Sequence, residues 1–131
     1  MLRRSVILAA LFALFGLPAV GVAAGLDGLL IVAHDGTILG AISCSDIGNP
    51  YSRHGSKFSS VSIWNKFSSY GSEFSSLSPY NRFTSTPPAL VDGAGDIVGH
   101  LTENRFVSNP VSPIALEGYL VETCGTAEDY R

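Results

Sequence analysis

Residues 49–64 read NPYSRHGSKFSSVSIW, and residues 65–80 repeat the pattern as NKFSSYGSEFSSLSPY. A third copy begins at Asn81 with NRFTST and stops before Pro87. The period of 16 residues is neither the 3.6-residue period of a helix nor the alternation of a strand. Residues 49–86 therefore form a repeat segment whose pattern is typical of neither a helix nor a strand.

A shorter unit recurs inside the repeat: Asn or Ser, any residue, an aromatic residue, then Ser or Thr. Ser and Asn side chains bond to nearby backbone groups and favour turns. The sequence therefore predicts an ordered, turn-rich ribbon whose aromatic residues point inward, with Phe58 and Phe74 largely buried. The alternative is a flexible Ser-rich linker. The units start at Asn49, Ser56, Asn65, Ser72 and Asn81, with a late partial copy at Asn104.

A second duplication flanks the repeat. Residues 31–43 read IVAHDGTILGAIS, and residues 90–102 read LVDGAGDIVGHLT, aligning without a gap. Each segment has an apolar run, a Gly/Asp turn and a second apolar run, which is typical of a β-hairpin. We expect the two hairpins to join in one antiparallel sheet.

A short helix is predicted near the end of the chain. Ser112 can cap it, Pro113 suits the first helical position, and Gly125 suits the stop. The predicted fold is thus mainly β: a small domain with two β-hairpins in one antiparallel sheet, an ordered turn-rich Ser/aromatic repeat segment and one short C-terminal helix.

The first 24 residues have the pattern of a secretory signal peptide. Arg3 and Arg4 precede an uncharged apolar stretch, and small residues lead up to Ala24. Cleavage after Ala24 would leave residues 25–131 as a single exported domain, secreted or periplasmic, without a stable membrane span. The alternative is an uncleaved membrane anchor.

Cys44 and Cys124 are the only two cysteines. In an oxidising compartment a single pair allows one intramolecular disulfide, which would pin the predicted helix to the first hairpin. The alternatives are two free thiols or an intermolecular bridge.

The chain from residue 55 to 85, followed by PPALVDG and GHLTENRF, resembles a group of short exported bacterial proteins. Their repeats have the form N-x-[YF]-x-x-x-G-S-x-[YF]-S and include S-I-[WF]-N, and they are followed by PP-x-[LIV]-V and G-[YH]-L-T-x-N. The resemblance covers most of residues 36–116. It implies one exported domain and transfers no catalytic residue.

The charge balance limits the possible partners. Eight basic against eleven acidic residues give a net charge of −3. This excludes a basic nucleic-acid binder that is held on phosphates by counterion release. No phosphate-cradling loop or redox C-x-x-C is present, so no cofactor is expected.

A small serine-type hydrolase is the enzymatic alternative, because serine is abundant. No G-x-S-x-G motif is present, and the repeat explains the serines as turn residues. We therefore assign no catalytic residue. The candidate bases are His34, His54 and His100, with Asp35, Asp92 and Asp96 as candidate orienting carboxylates.

Asp92, Asp96 and Glu103 fall at positions 1, 5 and 12 of a calcium-loop spacing. Ala94 replaces one expected ligand, and Ile97 stands where that loop needs Gly. A hairpin turn explains the same residues without an ion, so we predict no metal site.

Aromatic residues among Ser, Asn and Gly can stack on sugars or peptides. The sequence therefore favours an exported, non-enzymatic envelope or extracellular module, binding or structural, with an unknown protein or glycan partner. A flat surface with an exposed aromatic row would favour binding, whereas a deep pocket holding His54 or His100 against a serine would favour the hydrolase. The competing role for these aromatics is the hydrophobic core. The candidate binding residues are Tyr51, Trp64, Tyr70 and Tyr80, with Phe67 and Phe83 beside them.

Overall fold

The computed structural model describes residues 25–126 and 130–131. The predicted signal peptide and its cleavage site, residues 1–24, lie outside this part of the chain. Within the described ranges, no helix combines the length and hydropathy that crossing a bilayer requires.

A five-stranded sheet lies on one side of the domain. Its strands are β1 (Leu30–Val32), β2 (Ile38–Ala41), β3 (Ala89–Val91), β4 (Ile97–Leu101) and β5 (Pro110–Val111). Their order in the sheet is β2-β1-β3-β4-β5. The two predicted hairpins are β1–β2 and β3–β4, and β1 pairs antiparallel with β3 between them. The predicted mainly β fold is confirmed, with one correction: β5 runs parallel to β4, so the sheet is mixed.

The two hairpins share their irregularities as well as their pattern. The register shifts after Ile31 in one hairpin and after Leu90 in the other. Their turns contain Gly36 and Gly95, with φ of 91° and 88°, a region that L side chains rarely adopt. The same bulge and the same turn therefore recur at equivalent positions of the duplicated segments.

The helix α1 (Pro113–Cys124) begins and ends where the sequence predicts. The Ser112 hydroxyl accepts the N–H groups of Ile114 and Ala115, and Gly125 ends the helix with φ 73°. Cys124 in the last turn forms a disulfide with Cys44, with Cα atoms 5.4 Å apart. The predicted bridge is therefore confirmed, and it links the helix to the segment that follows β2.

The core lies between the sheet, α1 and the inner side of the repeat segment. Strands, helix and repeat each contribute side chains with almost no exposed surface. These are Ile31, Leu39, Leu90 and Leu101 from the sheet, Leu116 and Leu120 from α1, Ile63 and Trp64 from the repeat, and Ile42, Ile47 and Tyr130 from connecting segments.

The repeat segment is a succession of tight turns, five in each 16-residue copy. The backbone carbonyl of each opening residue accepts the N–H three or four residues ahead, and its side-chain oxygen accepts an N–H two or three residues ahead. Each turn thus satisfies its backbone locally, without a strand partner. The opening residues are Asn49, Ser52, Ser56, Ser59, Ser62, Asn65, Ser68, Ser72, Ser75, Ser78 and Asn81.

The side chains that open four of the turns, Ser52, Asn65, Ser68 and Asn81, donate to the backbone carbonyl six residues earlier. The Asn65 amide donates to the Ser59 carbonyl at 3.0 Å, and the equivalent Asn81 amide donates to the Ser75 carbonyl at 3.2 Å. A Cβ at Gly71 would overlap the backbone carbonyl oxygen of Asn65. The turns therefore wind into a compact spiral that leaves no room for a side chain at this glycine.

Gly71→Ala is expected to lower the free energy of unfolding by about 1–3 kcal/mol, because the backbone must shift to accept the methyl group. Gly93→Ala is the control, since a Cβ there has no neighbour within 4 Å. Urea unfolding of both variants measures the difference. Equal stability of the two variants would contradict the tight spiral.

Candidate functional site

Six aromatic side chains, five in the repeat segment and one in the late partial copy at Asn104, stand almost fully in solvent. The described residues contain five phenylalanines, and all five are in this set. Phenylalanine is among the residues most often buried. Their exposure therefore needs an explanation. We call this set the aromatic row: Tyr51 (89% exposed), Phe58 (83%), Phe67 (91%), Phe74 (87%), Phe83 (86%) and Phe106 (98%).

The prediction that Phe58 and Phe74 are buried is wrong. Both are third residues of turns that face away from the sheet and the helix. In each copy of the repeat, the turn opened by Ser62 or Ser78 faces the domain instead, and it places Trp64 or Tyr80 inward. The domain covers one side of the spiral, so aromatics at other points of the period remain outside.

Grooves separate neighbouring members of the aromatic row. Each groove has aromatic rings for walls, and polar turn residues such as Asn65, Asn81 and Asn104 line three of them. The surface is thus a series of similar open sites and not one deep pocket. The grooves lie between Tyr51 and Phe58 (about 370 Å³), Phe58 and Phe67 (about 470 Å³), Phe74 and Phe83 (about 470 Å³), and Phe83 and Phe106 (about 510 Å³).

Buried groups support the row from below. The Trp64 indole N–H donates to the Ile47 carbonyl at 2.9 Å, and the Tyr130 ring lies 5.2 Å from the Trp64 ring. Arg131 lies over the Tyr80 ring at 3.8 Å and donates to the Gly71 carbonyl at 2.7 Å. These contacts fix the inward aromatics and thereby the turns that carry the outward ones.

Every Lys and Arg of the described residues lies at or near the aromatic row. Lys57, Lys66, Arg82 and Arg105 each directly precede a row member, Arg53 follows Tyr51 by two positions, and Arg131 lines the groove between Phe58 and Phe67. The acidic residues that line the four grooves are Glu73 and Glu103. The row is therefore cationic, whereas residues 25–131 as a whole carry six basic and eleven acidic residues.

The predicted binding residues are divided between the row and the interior. Tyr51, Phe67 and Phe83 belong to the row, whereas Trp64 lies at the base of the groove between Phe58 and Phe67 and has no exposed surface. Tyr80 is half-buried beneath Arg131 and lines the groove between Phe74 and Phe83, and burial raises its pKa above the usual value.

Tyr70 joins the repeat to the first hairpin. Its hydroxyl donates to Asp35 at 2.8 Å and lies 3.0 Å from the Thr37 hydroxyl. The Thr37 backbone N–H, and after it the Tyr70 hydroxyl, lower the pKa of Asp35. Tyr70 is therefore engaged in a structural contact.

The residues considered for a hydrolase do not assemble into a triad. His54 Nδ1 lies 2.9 Å from an Asp46 carboxylate oxygen, and His100 Nδ1 donates to the Ser108 carbonyl at 3.0 Å. The other oxygen of Asp46 accepts the Ala41 N–H at 2.8 Å. Within residues 25–126 and 130–131, no serine hydroxyl hydrogen-bonds a histidine ring.

The spacing that suggested calcium belongs to a hairpin turn. One Asp92 carboxylate oxygen accepts the N–H groups of Ala94 and Asp96 at 3.0 and 2.9 Å. In the part of the chain that the structure describes, no three His, Cys, Asp or Glu side chains form a group that could hold a metal ion.

Sequence reasoning placed Phe58 and Phe74 inside and gave no binding role to Phe106. The signal that identifies them is the unit of Asn or Ser, any residue and an aromatic, in which the middle residue is charged at every row member except Tyr51. Trp64 follows Ser-Ile and Tyr80 follows Ser-Pro. An uncharged middle residue thus accompanies the inward turns.

No protein-family model, curated protein or solved structure matches this chain.

Proposed function

We propose that this protein is an exported, non-enzymatic binding module and that the aromatic row is its ligand surface. The observation that carries this proposal is the exposure of all five described phenylalanines, each at least 83%. Burying a phenylalanine contributes about 1.5–3 kcal/mol relative to leaving it exposed. This chain leaves five phenylalanines in solvent on recurring turns. Contact with a partner that covers these rings would therefore gain the free energy of burying them.

The way in which the rings are held supports the proposal. Each row member sits on a turn that is closed by hydrogen bonds to the side chain and backbone of the residue that opens it. The Asn65 carboxamide oxygen, for example, accepts the Phe67 N–H at 3.0 Å. A surface that is ordered before it binds loses less conformational entropy on binding. Large rigid aromatics are also the side chains that most often dominate binding energies.

The repetition indicates the kind of ligand. The grooves are similar in size, and they form two pairs that each share a ring, Phe58 in one pair and Phe83 in the other. A ligand with a repeating structure can occupy several of them together, and each further contact then forms at a high effective concentration. A weak interaction at one groove is therefore sufficient for useful total affinity.

The compartment fits this role. The Cys44–Cys124 disulfide is of a kind that persists in oxidising surroundings, and residues 1–24 have the pattern of an export signal. Both features support a site of action in the periplasm or outside the cell, where envelope and extracellular polymers are accessible.

Co-sedimentation with isolated cell envelopes tests the proposal. The protein is recovered from the exported fraction of cells that produce the full chain. Phe67→Ser with Phe83→Ser removes two rings, each contributing about 0.5–1.5 kcal/mol, so the apparent affinity is expected to fall by about fivefold or more. The control is Ile38→Ser with Ile97→Ser, which changes side chains 54% and 63% exposed on the sheet.

Retention of the Phe67/Phe83 variant at the level of the original protein would contradict the proposal. So would an equal loss in the Ile38/Ile97 control. Release of soluble products from the envelopes, abolished by a single Ser→Ala change in a folded variant, would instead establish the hydrolase.

A further inference from the structure

We propose that the ligand of the aromatic row is a linear polysaccharide that carries carboxylate groups. This inference rests on the proposed function, because it names the ligand class of the same surface. It follows from three properties of the row: the position of its cations, the composition of its grooves and its moderate charge.

Cations stand beside the rings and not in a separate patch. Lys57 lies over the Phe58 ring, with Nζ 5.9 Å from the ring centre. Lys66 lines the groove between Phe58 and Phe67, and Arg82 lines both grooves that adjoin Phe83. A bound unit would therefore meet a flat apolar ring and a positive charge together.

The grooves combine surfaces that suit a sugar acid. A pyranose ring presents apolar C–H groups on its faces and hydroxyls at its edge. The phenylalanine walls can contact the faces. The Asn104 amide donates one N–H to the Thr84 carbonyl at 2.8 Å, which leaves its second N–H for a hydroxyl, and Arg105 beside it can pair with a carboxylate.

The length of the row suits a polymer. Row members recur every seven or nine residues from Tyr51 to Phe83, and Phe106 continues the series next to Phe83. The four grooves form two pairs, one on either side of Phe58 and one on either side of Phe83, so a sugar chain can occupy two grooves that share a ring. A single sugar would use one groove and gain nothing from the repetition.

The charge of the row is moderate, and this favours a polysaccharide over a nucleic acid. Five cations line the four grooves, but Glu73 and Glu103 lie among them. The remaining surface is acidic, because residues 25–131 carry a net charge of −5. Single-stranded nucleic acid brings a phosphate with every base, so it is bound by strongly positive channels.

The grooves also argue against a lipid surface. A bilayer contacts the tips of aromatic side chains and leaves the polar space between them unused. Here that space contains the cations and amides. A ligand that enters the grooves contacts these cations and amides as well as the rings, whereas a bilayer would contact only the rings.

A matched pair of polymers tests the ligand class: polygalacturonate and its methyl ester, which share one sugar backbone and differ in charge. Isothermal titration of the exported protein is expected to show binding to polygalacturonate, and binding to the ester weaker by about tenfold. Raising the salt to about 0.5 M is expected to remove most of this difference. Poly(dT), polyglutamate and phosphatidylglycerol vesicles are titrated in parallel.

Charge variants test the geometry. Lys66→Gln with Arg82→Gln is expected to weaken polygalacturonate binding by about fivefold and to leave binding of the ester unchanged. Glu73→Gln removes a carboxylate from the groove beside Phe74 and is expected to strengthen binding about twofold. Glu122→Gln, at an exposed position of α1, is the control without effect.

Equal affinity for the ester, or tighter binding of poly(dT), polyglutamate or vesicles, would overturn the ligand class. If the protein binds neither polygalacturonate nor its methyl ester, the ligand class is also overturned. In those cases the proposed function still stands if envelope binding is lost in the Phe67/Phe83 variant. If that variant binds envelopes normally, the proposed function itself fails.

Discussion

Replacing Trp64 by Ala is expected to lower the free energy of unfolding by about 3–5 kcal/mol. The Trp64 side chain has no exposed surface, packs on Tyr130 and donates its indole N–H to the Ile47 carbonyl. The change removes these contacts and leaves a cavity, and the Ile47 carbonyl loses its hydrogen bond from the indole. Urea unfolding followed by circular dichroism measures the loss.

Phe67→Ala provides the matched control from the next copy of the repeat. Phe67 is 91% exposed, so its truncation is expected to change stability by less than about 0.5 kcal/mol. If Phe67→Ala were as destabilising as Trp64→Ala, the phenylalanine would be a core residue, and the aromatic row would not exist as described.

Removing the disulfide is the second change with a large expected effect. Cys44→Ser with Cys124→Ser is expected to lower the free energy of unfolding by about 2–5 kcal/mol. The bridge joins residues 80 positions apart and attaches α1 to the segment after β2. Without it, the unfolded chain gains conformational freedom that folding must then remove.

Reductant supplies the control for this prediction. Dithiothreitol is expected to lower the urea midpoint of the original protein and to leave that of the double variant unchanged. An original protein that is insensitive to reductant, at a concentration shown by alkylation to open the bridge, would mean that the disulfide adds no stability.

The sheet and the helix could be predicted because their signals are local. Gly36 and Gly95 mark the hairpin turns, and Ser112 and Gly125 mark the ends of the helix. The short parallel strand Pro110–Val111 could not be predicted, since two residues carry no alternation and its partner is set by the path of the chain.

The direction of the aromatic side chains was predicted wrongly for a different reason. The repeat identifies equivalent positions, such as Phe58 and Phe74, but a period alone does not say which side of a spiral faces the domain. Because phenylalanine is usually buried, Phe58 and Phe74 were expected to point inward. The inward side is decided by contacts that the repeat does not encode, including those of Tyr130 and Arg131 with Trp64 and Tyr80.

The abundance of serine also has a structural explanation. Ser56, Ser59 and Ser62 each accept a backbone N–H two residues ahead, and their equivalents in the next copy do the same. The repeat segment has no helix or strand to bind these N–H groups, so the serine hydroxyls accept them instead. The residue type that suggested a hydrolase is thus the one that builds the spiral.

Selective labelling offers the most direct test of the aromatic row as the ligand surface. In exported protein, cleavage after Ala24 is expected to leave only the five phenylalanines of the row. Labelling their rings with ¹³C therefore reports on the row alone. Labelled methyl groups of Ile38, Ile97 and Ile114 report on other exposed apolar positions.

The measurement is an NMR titration of this doubly labelled protein with galacturonate oligosaccharides. The expected result is that the phenylalanine ring signals shift progressively to saturation while the methyl signals of Ile38, Ile97 and Ile114 stay in place. Shifts at those isoleucines without shifts at the phenylalanine rings, or saturation of binding with the ring signals unmoved, would contradict it.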